Sequence, residues 1–208
     1  METDWTKHWE DNYGNFIWKM WVRRITSAYK TLLRNVNVNN PKILELGSGS
    51  GANSLAMAKI LKAKHITLVD SNSHALDISK RLFKESNVDF HVMYVNSNIL
   101  DVNLQERFDI VHSEGLIEHF YGEERVAVFK KHASFCKKGG FIIIFVPYKS
   151  FQYNLFKLVY RTFNRWIWDE EPFSQQELYA LCKQHDLTII KKYTSLRIHE
   201  IGILIKNS

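Results

Sequence analysis

The chain has 208 residues, 45 % hydrophobic and 24 % charged, with two cysteines and a net charge of +6. That length holds one substantial core, and two cysteines exclude a disulfide framework, which points to a reducing cytoplasm. The opening METDWTKHWEDNYG lacks the apolar stretch of a signal peptide, and the longest apolar run, Phe141 to Pro147, is too short to cross a bilayer. The charge excess permits an anionic partner without requiring one, so nucleic acid stays open as a partner but is not favoured.

In chain order, apolar residues at Ile17, Met20, Trp21, Ile25, Ala28, Tyr29, Leu32 and Leu33 predict a helix over Asn15 to Arg34 with one buried face. The turn-rich NVNVNNP, residues 35–41, separates this aromatic arm from the rest. Lys42 to Leu46 is a strand, followed by a glycine loop and a helix from Ala52 to Leu61. His65 to Val69 is a second strand ending at Asp70, and Ser73 is expected to cap a helix through Phe83. Asp89 to Val95 and Phe108 to His112 are the third and fourth strands. A helix over Glu123 to Cys136 is expected to end at the Gly139-Gly140 pair. Phe141 to Val146, apolar on both sides, reads as a central strand. Ser174 and Glu177 form a capping box for a helix to His185, and Leu187 to Tyr193 and Ile201 to Lys206 close the chain as a hairpin. Strands alternating with helices make this an α/β chain with a doubly wound, mostly parallel sheet and an antiparallel end. Ligands of such sheets sit beyond the carboxyl ends of the strands.

The loop after the first strand reads ILELGSGSGA. Gly47-x-Gly49-x-x-Ala52 also satisfies a dinucleotide fingerprint, so the glycines alone do not choose a ligand. Glu45 discriminates: a carboxylate beside the loop opposes a pyrophosphate, which wants amide donors at a helix N-terminus. It welcomes a ligand bearing an ammonium and a sulfonium. Asp70, ending the second strand, is placed to accept from ribose hydroxyls. Asn98, in VNSNILD, is placed for an adenine amino group, with Ile99 against the ring.

Taken in order, ILELGSGSG, ITLVDSN, VNSNILD, FDIVHSEGLIEHF and KKGGFIIIFVP resemble a class I S-adenosylmethionine-dependent methyltransferase over about residues 40 to 148. The resemblance implies a seven-stranded Rossmann-like methyltransferase fold, S-adenosylmethionine as cofactor and S-adenosylhomocysteine as product. It places Gly47, Gly49 and Gly51 at the methionine end, Glu45 near the amino group, Asp70 at the ribose, and Asn98 and Ile99 at the adenine, with Ser48 and Ser71 also cofactor-binding. Ser113 and Glu114 would border the sulfonium and the acceptor. Asn98 stands where the family usually has Asp. The whole chain, 1–208, is expected to be one domain: a helical arm or lid (1–40), a cofactor-binding core (41–147), a variable substrate-side insertion (148–173) and a closing helix and hairpin (174–208).

Ser113-Glu114-Gly115-Leu116 is not the Asn/Asp-Pro-Pro-Tyr motif that serves planar amino nitrogens in the family, and no Pro-Cys nucleophile is present. The LIEHF segment looks like small-molecule methyltransferases of the quinone-biosynthesis type, which implies a small acceptor, methylated at oxygen in preference to nitrogen or carbon. His119 is the candidate general base for a hydroxyl acceptor; a capping or packing role is the competing reading. Trp9, Tyr13, Glu118 and Tyr148 are the candidate acceptor-side residues, and no metal is expected. Trp5, His8, Trp9 and Tyr13 form either a lid or an ordinary packed arm. Lys149, Lys157, Arg161 and Arg165 share one helical stripe. They form a solvated face over buried aromatics, a pocket cover for an acidic substrate, or, over 149–168, an interfacial helix on anionic lipid. An RNA or protein methyltransferase and a non-catalytic adenosylmethionine-binding subunit are the rival functions, with a nicotinamide dehydrogenase a distant third. Oligomeric state is not legible.

Overall fold

The computed structural model describes residues 3–163, 169–195 and 200–207. Its centre is a seven-stranded sheet in the order β3-β2-β1-β4-β5-β7-β6. The strands are β1 (Lys42–Leu46), β2 (His65–Asp70), β3 (His91–Asn96), β4 (Phe108–Glu114), β5 (Cys136–Pro147), β6 (Thr188–Ser195) and β7 (Glu200–Lys206). The first five run parallel; β7 inserts antiparallel between β5 and β6. This is the doubly wound α/β sheet with a closing antiparallel pair that the alternation of elements predicts.

Side-chain alternation along the central strands feeds two cores. Leu44, Leu46, Ile142, Ile144 and Val146 enter one, beneath α5 (Gly122–Phe135) and α7 (Gln175–Gln184). Ile43, Ile143 and Phe145 enter the other, beneath α2 (Phe16–Leu33), α3 (Ala52–Leu61) and α4 (Ser73–Glu85). Period-two alternation with both faces apolar is what a sheet covered on each side requires. The capping box at Ser174 forms as its spacing predicts: the Ser174 hydroxyl accepts from the Glu177 amide, and Glu177 accepts from the Ser174 amide.

Four local expectations are corrected. The cap of α4 is Asn72, not Ser73; its Oδ1 accepts from the Ala75 amide at 2.9 Å. Helix α5 stops at Phe135 and the Gly139-Gly140 pair lies inside β5. Asn207 replaces it, its side-chain amide donating to the Ala133, Cys136 and Lys137 carbonyls. An eight-residue helix, α1 (Trp5–Asn12), precedes α2 where no regular element is expected. Finally, α6 (Phe151–Thr162) does not bury its aromatic face: Phe151 is 78 % exposed, Leu158 62 % and Phe163, just past it, 69 %, while Tyr153 is buried. Arg165 of the basic stripe lies outside the described residues. Among the described residues no helix is long and apolar enough to cross a membrane.

Candidate active site

Beyond β1 the chain turns through Gly47, Gly49 and Gly51, all at positive φ. Asp70 clamps this loop from the next strand: one carboxylate oxygen accepts from the Gly49 amide at 2.7 Å, the other from the Asn72 amide at 2.8 Å. The Ser48 amide donates to the Val69 carbonyl, and the Ser79 hydroxyl to the Gly49 carbonyl. The Ser48 hydroxyl is buried and has no hydrogen-bond partner among the described residues. Helix α1 lies directly over the loop: a Cβ built on Gly49 would meet the Trp9 indole at 2.2 Å, so only glycine permits that approach at φ 49°. Leu116 presses likewise on Gly47, and the Asn72 side-chain amide donates to the Thr6 hydroxyl.

Glu45 sits deeper than its role at the loop suggests. It is 1 % exposed, and its carboxylate accepts from the Ser54 amide at 3.2 Å in the first turn of α3. Ser54 continues to His112 Nε2 at 2.9 Å, and Tyr29 Oη lies 3.0 Å from His112 Nδ1. Burial drives this network toward neutrality: Glu45 is pushed up to about 8 and His112 down to about 3. The chain Glu45-Ser54-His112-Tyr29 joins β1, α3, β4 and α2. Sequence reading misses it because His112 appears only as an interior strand residue.

A second cluster is built from the ends of β4 and β5, the start of β7 and a returning segment, 169–173. Antiparallel pairing sets Glu200 opposite Pro147, so β7 begins where β5 ends. Glu114, ending β4, accepts from the Asn53 side chain at 3.2 Å and shares a hydrogen bond with Glu200. After β4 a 3-10 turn, Ile117–His119, carries Glu118, 1 % exposed. The segment 169–173 folds back over this turn: the Glu171 amide donates to the Glu118 carbonyl, and Phe173 exchanges backbone bonds with Pro147 and Lys149. Glu170 thereby reaches the turn, its carboxylate accepting from Tyr153 Oη at 2.8 Å. Burial, then the mutual repulsion of carboxylates, raises Glu118 and Glu200 well above the usual carboxylate range; Glu170 and Glu114 are also raised, first by burial.

His119 Nδ1 donates to the Asp169 carbonyl, which fixes the tautomer and leaves Nε2 as an acceptor. Burial lowers its pKa, so the imidazole is neutral near pH 7. The Trp5 indole stands edge-on to the ring at 5.0 Å, followed by His8 and Trp9. The Thr3 hydroxyl accepts from the Asp169 amide, tying the start of the chain to the returning segment. The arm thus packs on the turn through Trp5 and on the glycine loop through Trp9.

The other expected residues make the following contacts. The Ser113 hydroxyl turns into the core and bonds His132 Nε2 at 2.8 Å. Ile99 is buried in the core beneath α5, and exposed Asn98 accepts from the Leu100 amide. Ser71 is exposed and lends its carbonyl to Asn96. Tyr13 stacks edge-on with Trp18 and shares its surroundings with Arg81 and Glu85 of α4, apart from the glutamates. Tyr148 bridges to Phe173 at the rim. Glu170 and Glu200 are the residues that sequence reading misses. Glu118, His119 and Glu170 each bring a donor atom within 4.8 Å of the others.

This sheet order, with its reversed last strands, defines the class I methyltransferase fold. Magnesium protoporphyrin IX methyltransferase of Synechocystis PCC 6803, solved with S-adenosylhomocysteine bound, superposes with a TM-score of 0.76 at 14 % identity, over 98 % of this chain and 93 % of that one. The family described as Methyltransferase domain matches residues 43–140. A release factor glutamine methyltransferase of Rhodopirellula baltica is 33 % identical over 75 residues, 36 % of this chain and 25 % of its own length. A putative protein N5-glutamine methyltransferase of Methanocaldococcus jannaschii is 37 % identical over 81 residues, 38 % of this chain and 39 % of its own. The chain therefore spans between a quarter and two fifths of these curated relatives.

Proposed function

We propose that the chain is an S-adenosylmethionine-dependent methyltransferase acting on a small-molecule acceptor, with a hydroxyl oxygen as the favoured methyl acceptor. The observation that carries the cofactor assignment is the loop itself. Asp70 holds its amides in place, Ser48 keeps an unpartnered buried hydroxyl there, and Glu45 puts a carboxyl group beneath it. These residues suit an amino-acid end bearing an ammonium and a carboxylate. Gly47, Ser48, Gly49 and Gly51 would hold that end, with Asp70, Ser71, Asn98 and Ile99 toward the nucleoside. When bound, the cofactor supplies a methyl group on a sulfonium.

The chain's own work is alignment, exclusion of water and removal of one proton. Trp5 and Trp9, on α1, cover the site. His119 Nε2, left as an acceptor, would take the hydroxyl proton; its Nδ1–H, held by the Asp169 carbonyl, would keep the imidazolium that forms in place. A roof made by the arm and by 169–173 supports a small acceptor over a polypeptide or RNA. The absence of Asn/Asp-Pro-Pro-Tyr after β4 argues against a glutamine amide. The exposed apolar face of α6, beside Lys157 and Arg161, supports peripheral contact with anionic lipid. A screen with methyl-labelled cofactor against small-molecule, protein and RNA pools tests the reading. Label in the small-molecule pool is expected, and label in a macromolecular pool alone overturns it. For a hydroxyl acceptor, His119→Ala should lower kcat about 100-fold or more with little change in cofactor affinity; an unchanged kcat removes His119 as base.

A further inference from the structure

We infer that the acceptor carries a permanent or proton-borne positive charge, an ammonium or guanidinium group, seated among Glu118, Glu170 and Glu200. The inference rests on the methyltransferase reading above and names the substrate class of that site.

Carboxylates avoid one another in protein interiors, since burying an unpaired charge costs several kcal/mol or forces protonation. Here Glu118 and Glu200 are buried and Glu114 and Glu170 partly so, gathered beside the carboxyl ends of β4 and β5. Their fields overlap: Glu200 feels Glu114, Glu118 and Glu170, and Glu118 feels Glu170 and Glu114. Glu118 and Glu200 each keep one buried carboxylate oxygen, Oε2, without a hydrogen-bond partner among the described residues. Orphaned buried acceptors are rare, and each calls for a missing donor. Glu170 spends one oxygen on Tyr153, and Glu114 is served by Asn53. The deficit is thus specific: Glu118 and Glu200 keep buried acceptor oxygens without a donor among the described residues, while the nearby cations Arg125 and Lys157 are engaged by Glu171 and by the Glu170 carbonyl, and the Trp5 ring stands beside His119. An ammonium brings three donors and one positive charge on a small head, and an aromatic ring close by, such as Trp5, favours it. A divalent ion would engage the Glu118-His119-Glu170 donors and leave Glu200 unanswered.

The test is calorimetry on the full chain loaded with S-adenosylhomocysteine, near pH 7, with a matched pair of probes: phenethylammonium and its neutral isostere 2-phenylethanol. The ammonium is expected to bind about tenfold or more tightly than the alcohol. Glu170→Gln and Glu200→Gln should each abolish that preference, leaving the weak affinity for the alcohol and the affinity for S-adenosylhomocysteine unchanged, which also shows that the variants fold. Equal binding of the two probes, no binding of the ammonium, or a preference that survives both substitutions overturns the inference. Saturable binding of Mg²⁺ or Mn²⁺ that is lost in Glu118→Gln, with no ammonium binding, overturns it in favour of a metal site. A chain that binds S-adenosylhomocysteine but prefers the neutral probe keeps the methyltransferase reading and loses this one. A chain that does not bind S-adenosylhomocysteine loses the parent reading.

Discussion

Replacing Glu45 by Gln isolates the cost of the buried carboxyl beneath the loop. The side chain is 1 % exposed, and burial lifts its pKa from 4.5 to about 8. Between those values the folded state holds a proton that the unfolded state has released. Folded proteins with such a group lose stability as pH rises from the lower value, and the loss levels off above the upper one. Linkage at 1.36 kcal/mol per unit gives a penalty of under about 1 kcal/mol near pH 5 and about 4 kcal/mol near pH 8. Glutamine keeps the shape and can still accept from the Ser54 amide, but it does not titrate. The buried carboxyls that do not feel Glu45 slope equally in both proteins and cancel in the difference; Glu114 and Asp70, which do, make a smaller contribution than burial. Urea unfolding of the ligand-free protein at several pH values should therefore show Glu45→Gln gaining on the parent by about 3 kcal/mol from pH 5 to pH 8. A stability difference that stays constant across that window refutes the reasoning.

Gly49→Ala should weaken S-adenosylhomocysteine binding by about tenfold or more, since the new methyl meets the Trp9 indole at 2.2 Å on a strained backbone; the companion Trp9→Ala should restore part of it, as calorimetry can show. Gly202→Ala would drive a methyl to 2.3 Å from Phe145 in the middle of the sheet, so a loss of about 1–3 kcal/mol is expected in thermal or urea unfolding. Leu155→Asp and Leu158→Asp, on the exposed face of α6, should abolish cosedimentation with anionic vesicles and leave melting temperature unchanged; retention on vesicles by both variants would assign that face another partner.

The parts of the fold that local chemistry dictates were readable from the chain. β1, the glycine turn, α3 and Asp70 follow one another within a short stretch, and each carries its own punctuation. The capping box at Ser174 is similarly self-contained. Sequence reading fails where distant segments decide. α5 ends because Asn207, from the other end of the chain, takes its last carbonyls, so the glycine pair was a misleading stop. WTKHWEDN has no apolar stripe long enough to announce α1; the helix forms with Asp4 capping it and its aromatics resting on the glycine loop and His119. α6 has amphipathic spacing, but spacing does not say which face meets the protein, and here the apolar one is outward. The glutamate cluster joins Glu118, Glu170 and Glu200 through a turn, a returning segment and an antiparallel register, none of which leaves a local mark.

The account stands on the loop after β1 taking a sulfonium-bearing amino-acid nucleoside and not a dinucleotide phosphate. Calorimetry with S-adenosylhomocysteine and with a nicotinamide dinucleotide decides it. Saturable uptake of the first is predicted, weakened by about 1–3 kcal/mol in Asp70→Ala, with no uptake of the second. Binding of the dinucleotide without S-adenosylhomocysteine would contradict it.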